Sequence, residues 1–323
     1  MAHLVQTMAY TGQTPWHSFG NALPPKQSID VWAKEAGMDW NICSSPVRYM
    51  TEQAGSLGNI MSFDEQKVLY RSDTKAALSV VSDRYQVVQP REVLEFYRDL
   101  TEVSGFELET AGVLKAGKKF WALAKTGKET ALKGKDVVGG YLLLATSCDG
   151  TLATTATLTS IRVVCNNTLT VALNGAASAV KVPHNTVFDG QAVKKQLGVA
   201  VSHWGSFMVR MKTLSERKVK SHESMNYFLN VLCHSDQQPS SNKSGLVNER
   251  ALKRVQELYD GAGKGADLAS ASGTAWGLLN AVTEYVDHEK RSRNQEYRLD
   301  SAWFGQGAAL KQRALDHAMQ LVA

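Results

Sequence analysis

The sequence predicts an α+β protein, in which a long helix packs on a central antiparallel β-sheet and a helical region follows towards the C-terminus. Four β-like runs indicate the sheet, at residues 118–125, 137–147, 151–160 and 161–173. Asp149-Gly150, between the second and third runs, supplies the left-handed backbone that a tight hairpin needs. Two hairpins in succession predict an antiparallel sheet. Apolar residues at helical spacing follow residue 189 and return beyond residue 246.

The first third of the chain predicts short elements separated by turn residues. Residues 1–30 carry few regular signals, and we expect an irregular segment anchored by its aromatic side chains. The elements expected after it are a capped helix at residues 28–37, a hairpin of strands at residues 40–50 and 67–73, and, after a short strand, a helix from Pro90 to Gly105.

Asp189 begins the longest helical pattern in the chain, which extends to residue 220. Its apolar positions recur every three or four residues and form a single stripe, made of Val193, Leu197, Val201, Trp204, Met208 and Met211. The basic side chains of this segment lie largely off the stripe. We therefore expect a helix that packs on the sheet or on a second helix with one side and is cationic on the other.

The remaining signals divide the chain. Residues 234–245 are polar and contain proline, serine and glycine, which makes them the best linker candidate. Helical patterns follow at residues 246–261, 274–290 and 301–322. The predicted regions are residues 1–104 with the N-terminal segment, hairpin and helix, residues 105–233 with the central sheet and the long basic helix, and residues 246–323 with the C-terminal helices.

Composition excludes several classes of protein. With 43% apolar and 8% aromatic residues, the chain resembles a folded domain. No window is apolar for long enough to cross a bilayer and no signal-peptide pattern is present, so we expect a cytoplasmic protein without membrane contact. Cys43, Cys148, Cys165 and Cys233 form no CxxC pair, which predicts reduced thiols. The histidines show no metal-binding spacing either, and no cofactor is expected.

Charge is distributed unevenly along the chain. Lysines and arginines exceed carboxylates by 16 to 7 in residues 105–222, a surplus of nine. The preceding residues carry a net charge of −3, and the residues after 222 carry −1. A local surplus of this size concerns binding partners and not the fold, and polyanions are the obvious partner.

The first candidate for such binding is the lysine-rich run from residue 115 to 135, which contains seven lysines and one carboxylate, Glu129. Unpaired ammonium groups suit phosphate binding, and exposed aromatic rings stack on bases. Phe120 and Trp121 are neighbours on a strand and point to opposite faces, so at most one is expected in the core, and Trp121 is assigned to stacking. The alternative, that the lysines only keep an edge strand soluble, stays open.

The predicted nucleic-acid contacts are Lys118, Lys119, Trp121, Lys125, Lys128, Lys194, Lys195 and Arg210, with Arg162, Asn166 and Asn167 ranked lower. Two interpretations exist for Arg162, Asn166 and Asn167. They either bind a phosphate, or they form a turn or cap a neighbouring helix, and we favour the turn or cap.

Two segments could be mistaken for a catalytic or nucleotide-binding motif, and neither is complete. Cys165 has no histidine close in sequence, so a buried thiol is the better interpretation. Residues 261–270 superficially resemble a phosphate-binding loop, but they lack its spacing and follow a helix instead of a strand. We therefore predict no catalytic residue and no metal site.

Several segments together resemble a known family. These are PWHSFG at residues 15–20, SDRYQVVQP at 82–90, RVVCNNTL at 162–169, TAWGLLNAVTEYVDH at 274–288 and SAWFGQGAALKQRAL at 301–315. They look like the phage/plasmid-like proteins of domain-of-unknown-function family nine hundred and thirty-two. That resemblance implies a mobile genetic element as the source and brings no catalytic residue set.

A second similarity concerns topology alone. A helix, antiparallel hairpins and a long helix with a basic side resemble the core of single-strand annealing recombinases such as RecT and Red beta. In those proteins a sheet and a helix form a cationic groove for the DNA backbone, within a ring or filament of subunits. This similarity is at the level of the fold, and no sequence motif accompanies it.

The leading hypothesis is therefore a nucleic-acid-binding protein of a phage or plasmid, which binds or anneals single-stranded DNA in recombination or replication and works as a homo-oligomer. The alternative is an interaction protein of a mobile element whose basic middle third matches an acidic surface of a host factor. An enzyme ranks last, because the sequence shows no paired carboxylates, metal ligands or nucleophile and base.

Overall fold

A computed structural model describes residues 7–12, 20–53, 56–164, 167–170, 179–202, 204–233 and 248–323. The strands are β1 (Thr7–Thr11), β2 (Asn21–Leu23), β3 (Ile42–Gln53), β4 (Ser56–Arg71), β5 (Ala77–Ser82), β6 (Glu107–Leu114), β7 (Lys119–Leu132), β8 (Asp136–Ser147), β9 (Thr154–Arg162), β10 (Asn167–Thr170) and β11 (Ala179–Val182). The helices are α1 (Ile29–Glu35), α2 (Pro90–Glu95), α3 (Arg98–Ser104), α4 (Gly190–Ser202), α5 (Trp204–Glu216), α6 (Ser221–Cys233), α7 (Glu249–Glu257), α8 (Ala275–Glu284), α9 (Gln295–Phe304) and α10 (Gln306–Gln320).

The predicted α+β class is confirmed, with a central and mostly antiparallel sheet and helices at the C-terminus. The larger sheet has the order β10-β9-β8-β7-β6-β1-β2, and β11 pairs with β9. The turn between β8 and β9 contains Gly150 at φ +74°, in agreement with the predicted hairpin. The prediction missed β6, the edge strands β1 and β2, and β11.

The chain divides into two compact units, each assembled from separate stretches. The first unit consists of Met1–Thr126, Leu142–Thr157 and Ala179–Gly198, and the second of Gly127–Tyr141, Leu158–Ser178 and Val199–Ala323. The three predicted regions follow the chain in order, whereas these units interleave its stretches, because β7, β8 and β9 each contribute to both.

In the first unit, β7 is buried on both faces. Phe120 is 0% exposed and Trp121 is 1% exposed, although their side chains point in opposite directions. Phe120 packs edge-on against Trp40, with ring centroids 6.2 Å apart. The expectation that one of the two aromatic rings stays available is therefore wrong, because this stretch of the sheet is covered on both sides.

The first unit also contains a three-stranded sheet of order β3-β4-β5. The hairpin predicted from residues 40–50 and 67–73 is confirmed, and β4 is far longer than expected. Gln66–Tyr70 of β4 pair with β5, and the rest of β4 extends beyond it beside β3. A two-stranded ribbon therefore projects past the edge of the third strand.

The short helices of the first unit follow their sequence signals. Ser28 caps α1, since its hydroxyl accepts a hydrogen bond from Val31 N at 3.4 Å. The helix predicted from Pro90 to Gly105 consists of two helices, α2 and α3, separated by Phe96 and Tyr97. Tyr97 is fully buried and donates its hydroxyl to the carbonyl oxygens of Ala122 and Leu142. The junction between the two helices is therefore anchored to the sheet.

The predicted long helix is described as α4 and α5, with His203 between them outside the described residues. Four members of its apolar stripe are buried, Val193, Leu197, Met208 and Met211. The stripe is thus confirmed in both helices, while the continuity of the helix stays a prediction.

The C-terminal region is helical as predicted, with two additions. Turns of π-helix continue α7 and α8, at Leu258–Ala262 and Tyr285–Glu289. Gly305 separates α9 from α10, where the sequence predicted one helix. The prediction missed α6. The linker predicted at residues 234–245 and the aromatic residues at 16 and 19 lie outside the described residues.

Within the described ranges, none of the helices combines the length and the apolar character needed to span a bilayer. The described His, Cys, Asp and Glu side chains do not gather into a group of three or more that could hold a metal ion.

Candidate nucleic-acid interface

The tip of the β7–β8 hairpin, in the second unit, presents lysines to solvent. Lys133 and Gly134 form the turn with φ of 44° and 82°. Two consecutive positive φ values are typical of the type I′ turn, whose twist matches that of the flanking strands. Lys128, Lys133 and Lys135 are exposed at this tip. The strands continue well beyond the predicted end at residue 125, and this extension carries the lysines outwards.

The loop Gly263–Gly273 lies against this tip. Lys133 Nζ donates to the carbonyl oxygen of Ala269 at 3.1 Å, and the indole of Trp204 donates to Thr130 Oγ1 at 3.3 Å. The hairpin tip therefore meets both the loop and the beginning of α5 inside the second unit.

The segment 217–220 reaches the same loop from α5. Lys218 Nζ donates to the carbonyl oxygen of Ser272 at 3.0 Å. Backbone hydrogen bonds from Val219 N to Gly273 O and from Ala275 N to Arg217 O, both 3.0 Å, hold the segment beside the end of the loop. The ammonium groups of Lys133 and Lys218, 85 positions apart in sequence, are thus bound to carbonyls three residues apart.

Five exposed lysines lie in this loop or in the two segments that contact it, and we call them the lysine cluster: Lys133, Lys135, Lys218, Lys220 and Lys264. None of them is paired with a carboxylate in the part of the chain that the structure describes. Asp267 is the only carboxylate in the loop sequence. An ammonium group bound to a backbone carbonyl keeps its full charge, so the region presents a positive potential to solvent.

A buried ion pair fixes the base of the loop. Arg162 Nε and Nη2 donate to the two oxygens of Asp136 at 2.7 and 2.9 Å, and both side chains are at most 2% exposed. Ser270 Oγ and Trp276 Nε1 also donate to Asp136 Oδ2, at 2.7 and 2.9 Å. The carboxylate therefore receives four hydrogen bonds, which compensate much of the cost of burying it.

The same guanidinium holds the loop backbone. Arg162 donates to the carbonyl oxygens of Lys264 and Gly265, at 3.2 and 2.9 Å. On the amide side, Lys264 N donates to both carboxylate oxygens of Glu284 at 3.1 Å. Burial raises the pKa of Glu284 above its ordinary value. A carboxylate thus occupies the amide group that a phosphate-binding loop would use, in agreement with the rejection of a nucleotide site at residues 261–270.

A second buried ion pair lies in the same unit. Lys311 Nζ donates to Asp287 Oδ1 at 2.7 Å and to Thr168 Oγ1 at 2.6 Å. The other oxygen of Asp287 accepts from the amide and hydroxyl of Thr168, at 2.8 and 3.0 Å. Burial is the main cause that lowers the pKa of Lys311. This pair connects β10 to the C-terminal helices and contributes to packing, not to the surface.

Several of the predicted contacts lie in the first unit. Lys119 and Trp121 are 5% and 1% exposed, so neither side chain is accessible to a nucleic-acid strand in this conformation. Lys118 is half-buried, and Lys125 lies 3.5 Å from the buried carboxylate of Glu109. The assignment of Trp121 to base stacking needs correction, since its ring is part of the core.

Helix α4 carries two more of the predicted nucleic-acid contacts. Lys194 is half-buried and its ammonium lies 5.2 Å from the centre of the Phe96 ring, a cation–π contact. Lys195 is exposed.

The other predicted contacts belong to the second unit, where Lys128 is exposed and Arg210 is half-buried. Arg162 and Asn167 face each other in the register of β9 and β10, and both are buried. Asn167 Nδ2 donates to the carbonyl oxygen of Asn280 at 3.2 Å. The structural interpretation of these two residues therefore holds, and their assignment to phosphate binding needs correction because both are occupied inside the protein. Asn166 lies outside the described residues.

Partial signals for the lysine cluster are present in the amino-acid sequence. Lys133 and Lys135 belong to the lysine-rich run, and Lys218 and Lys220 to the basic end of the long helical pattern, yet none was ranked as a contact. Lys264 lies in a loop that was considered only as a nucleotide site. The missing information was the long-range pairing that brings residues 133, 218 and 264 to one loop.

Comparison with known proteins gives one positive result. No significant match was found among curated proteins or among solved structures, and the likeness to single-strand annealing recombinases thus finds no support. The family model described as Domain of unknown function (DUF932) matches residues 77–303, which include both β9–β10 and the loop that carries the lysine cluster. Because the match covers well over half of the chain, the protein belongs to the DUF932 family.

Proposed function

We propose that this chain is a nucleic-acid-binding protein of a phage or plasmid, which binds single-stranded DNA during recombination or replication. The observation that carries the proposal is the lysine cluster, whose five lysines have no carboxylate partner among the described residues and lie in or beside one loop of the second unit. Cations left in this state suit phosphate groups, whose condensed counterions are released on binding.

The charge surplus of residues 105–222, which includes four of the five lysines of the cluster, also supports this function. The buried pair of Arg162 with Asp136 removes one cation and one carboxylate from the count for residues 105–222, so it leaves the surplus of nine unchanged. Lys118, Lys125, Lys128, Lys194, Lys195 and Arg210 remain predicted contacts. The proposal uses phosphate contacts alone and no longer includes stacking on Trp121.

Fluorescence anisotropy with a labelled oligothymidylate tests the proposal. We expect binding at low salt that weakens steeply as salt rises. If all five lysines engage phosphates, the slope of log K against log salt is about −3.5, at roughly −0.7 per contact for a single strand. Lys133→Glu with Lys218→Glu should weaken binding at least about tenfold and reduce the slope by about 1.4.

A matched control is available in the first unit. Lys75 has a positive φ of 60° and donates Nζ to the Ser72 carbonyl oxygen at 2.7 Å, as Lys133 does to Ala269. Lys75→Glu with Lys26→Glu changes the net charge equally, at two exposed lysines of the first unit that lie outside the cluster. Equal weakening by the two double variants, or no binding of wild type at low salt, contradicts the proposal.

Two further measurements sharpen the proposed function. A duplex of the same length should bind less tightly than the single strand, and complementary oligonucleotides should pair faster with the protein than without it. Retention of a host protein after nuclease treatment, without affinity for oligonucleotides, would instead favour the host-factor interaction considered from the sequence.

A further inference from the structure

The β3–β4 hairpin exposes large apolar side chains on both of its faces. We call the described residues 47–53 and 56–65 the β-arm. In its register, Val47 lies opposite Phe63 and Tyr49 opposite Met61, while Met50 and Ile60 form the neighbouring pair. Since side chains alternate along a strand, the first two pairs share one face and the third lies on the other.

The exposure of these side chains is high for their size. Tyr49, Met50, Ile60, Met61 and Phe63 are between 41% and 69% exposed. Large aromatic side chains bury about 150–250 Å² each, so the five together leave on the order of 500 Å² of apolar surface uncovered. Tyr49, Met61 and Phe63 share one face, so that face alone leaves on the order of 300 Å² uncovered. This area is within the range of about 300–600 Å² for the largest apolar patch of a typical monomer, and such patches mark interaction surfaces.

The backbone of the β-arm also lacks a third strand to pair with. Strand β5 pairs with Gln66–Tyr70 of β4, so the β-arm beyond consists of two strands, and β3 is one of the two edge strands of this sheet. Isolated two-stranded ribbons are marginally stable in water. Pro46 and two bulges in the pairing of β3 with β4 interrupt the edge, as in natural edge strands protected against open-ended pairing. These devices favour a defined partner surface over unlimited strand addition.

The net charge of the β-arm indicates which kind of partner can bind it. The β-arm contains one cation, Arg48, and three carboxylates, Glu52, Asp64 and Glu65. With a net charge of −2, it repels nucleic acids and anionic lipid surfaces, whereas residues 105–222 of the same chain carry a surplus of nine positive charges. A second copy of this chain therefore offers the complementary potential.

The apolar area of the β-arm also favours a second copy of this chain as the partner. If two copies exchange their β-arms reciprocally, the two arms cover about 1,000 Å² of apolar surface, which reaches the size of a specific interface before the receiving surfaces are counted. A twofold exchange of identical elements also closes on itself and needs no third partner.

We propose that the β-arm docks on a second copy of this chain, and that reciprocal arm exchange builds the oligomer. The interface needs no nucleic acid, so its test is independent of the proposed function. Nuclease-treated protein is analysed by light scattering after size exclusion across the micromolar range. Wild type should show a multiple of the 35.3 kDa protomer, with a share that rises with concentration.

The decisive variant is Tyr49→Lys with Ile60→Lys, which places a charge on each face of the β-arm. It should elute as a monomer with an unchanged circular dichroism spectrum, since both side chains are exposed. The control is Met225→Lys with Tyr297→Lys, which changes two exposed side chains, 40% and 42% accessible, outside both the β-arm and residues 105–222, and should keep the mass of wild type.

Hydrogen exchange of wild type tests the same proposal without a substitution. Amides of the β-arm should exchange slowly at high protein concentration and much faster on dilution. A monomeric wild type at every concentration overturns the proposal, as does an oligomer that persists in the β-arm variant, that is lost equally in the control, or that forms only with another protein.

Discussion

Two regions of this molecule depart from ordinary burial in opposite directions. In the interior of the second unit, Asp136 with Arg162 and Asp287 with Lys311 form ion pairs that are nearly inaccessible to water. In the β-arm of the first unit, large apolar side chains are exposed on a two-stranded ribbon. The comparison shows that a residue type alone does not decide where a side chain lies. Hydrogen bonds make the buried charges tolerable, and we propose that a second copy covers the exposed apolar surface.

The largest expected effect comes from breaking a buried pair. Asp136→Ala leaves the Arg162 guanidinium without its carboxylate at 2% exposure and removes the acceptor of Ser270 and Trp276. The free energy of unfolding should fall by about 3–5 kcal/mol. Chemical denaturation measures it. Glu257→Ala, which removes an exposed partner of Arg254, should cost less than about 1 kcal/mol, and a similar loss for both would show that the interior pair has no special role.

An intermediate effect concerns Glu284, whose pKa is raised above 4.5, chiefly by burial. A carboxyl group with a raised pKa in the folded state contributes stability that is complete below the unfolded value of 4.5 and is lost as pH rises through the folded value. The unfolding free energy should thus decline with pH in this window, by at most about 1.4 kcal/mol per pH unit for one group. Glu284→Gln should remove that decline, and an unchanged pH profile would contradict the prediction.

The smallest effect is expected in the β-arm. Ile60→Thr, at 69% exposure, should change the unfolding free energy of dilute, dissociated protein by less than about 0.5 kcal/mol. The same substitution at Ile161, which is 2% exposed, should cost roughly 2 kcal/mol or more, because it removes buried apolar atoms and buries a hydroxyl. At high concentration Ile60→Thr should lower the melting temperature as well, since association contributes there. Equal effects of the two substitutions in dilute protein would mean that the β-arm is packed within its own chain.

Prediction from the sequence succeeded where the signal was local. The hairpin at Asp149-Gly150, the cap at Ser28 and the apolar stripe from Val193 to Met211 depend on residues a few positions apart, and the structure confirms each of them. The prediction was weaker where a local pattern was interrupted from elsewhere. Tyr97, anchored to two strands of the sheet, divides a helix that the pattern from Pro90 to Gly105 presents as continuous.

Prediction of the nucleic-acid contacts was weak for the same reason, because exposure to solvent depends on parts of the chain that are distant in sequence. The sequence shows that cations accumulate in the middle third, but not which of them reach solvent. Lys119, Trp121 and Arg162 have the residue types that bind nucleic acid, and they are buried because sheet and helix packing covers them. Lys218 and Lys264 are exposed at one loop because backbone pairing near Gly273 and the guanidinium of Arg162 hold that loop in place.

The sequence by itself determined the α+β class, the hairpins, the helical faces and the surplus of positive charge, since periodicity, turn chemistry and charge are properties of neighbouring residues. Only the tertiary structure decided that Asp136 neutralises Arg162, that five lysines share one loop, and that the β-arm leaves its apolar faces uncovered. These features join residues tens to more than a hundred positions apart. Their positions follow from packing of the whole chain, which no local pattern encodes.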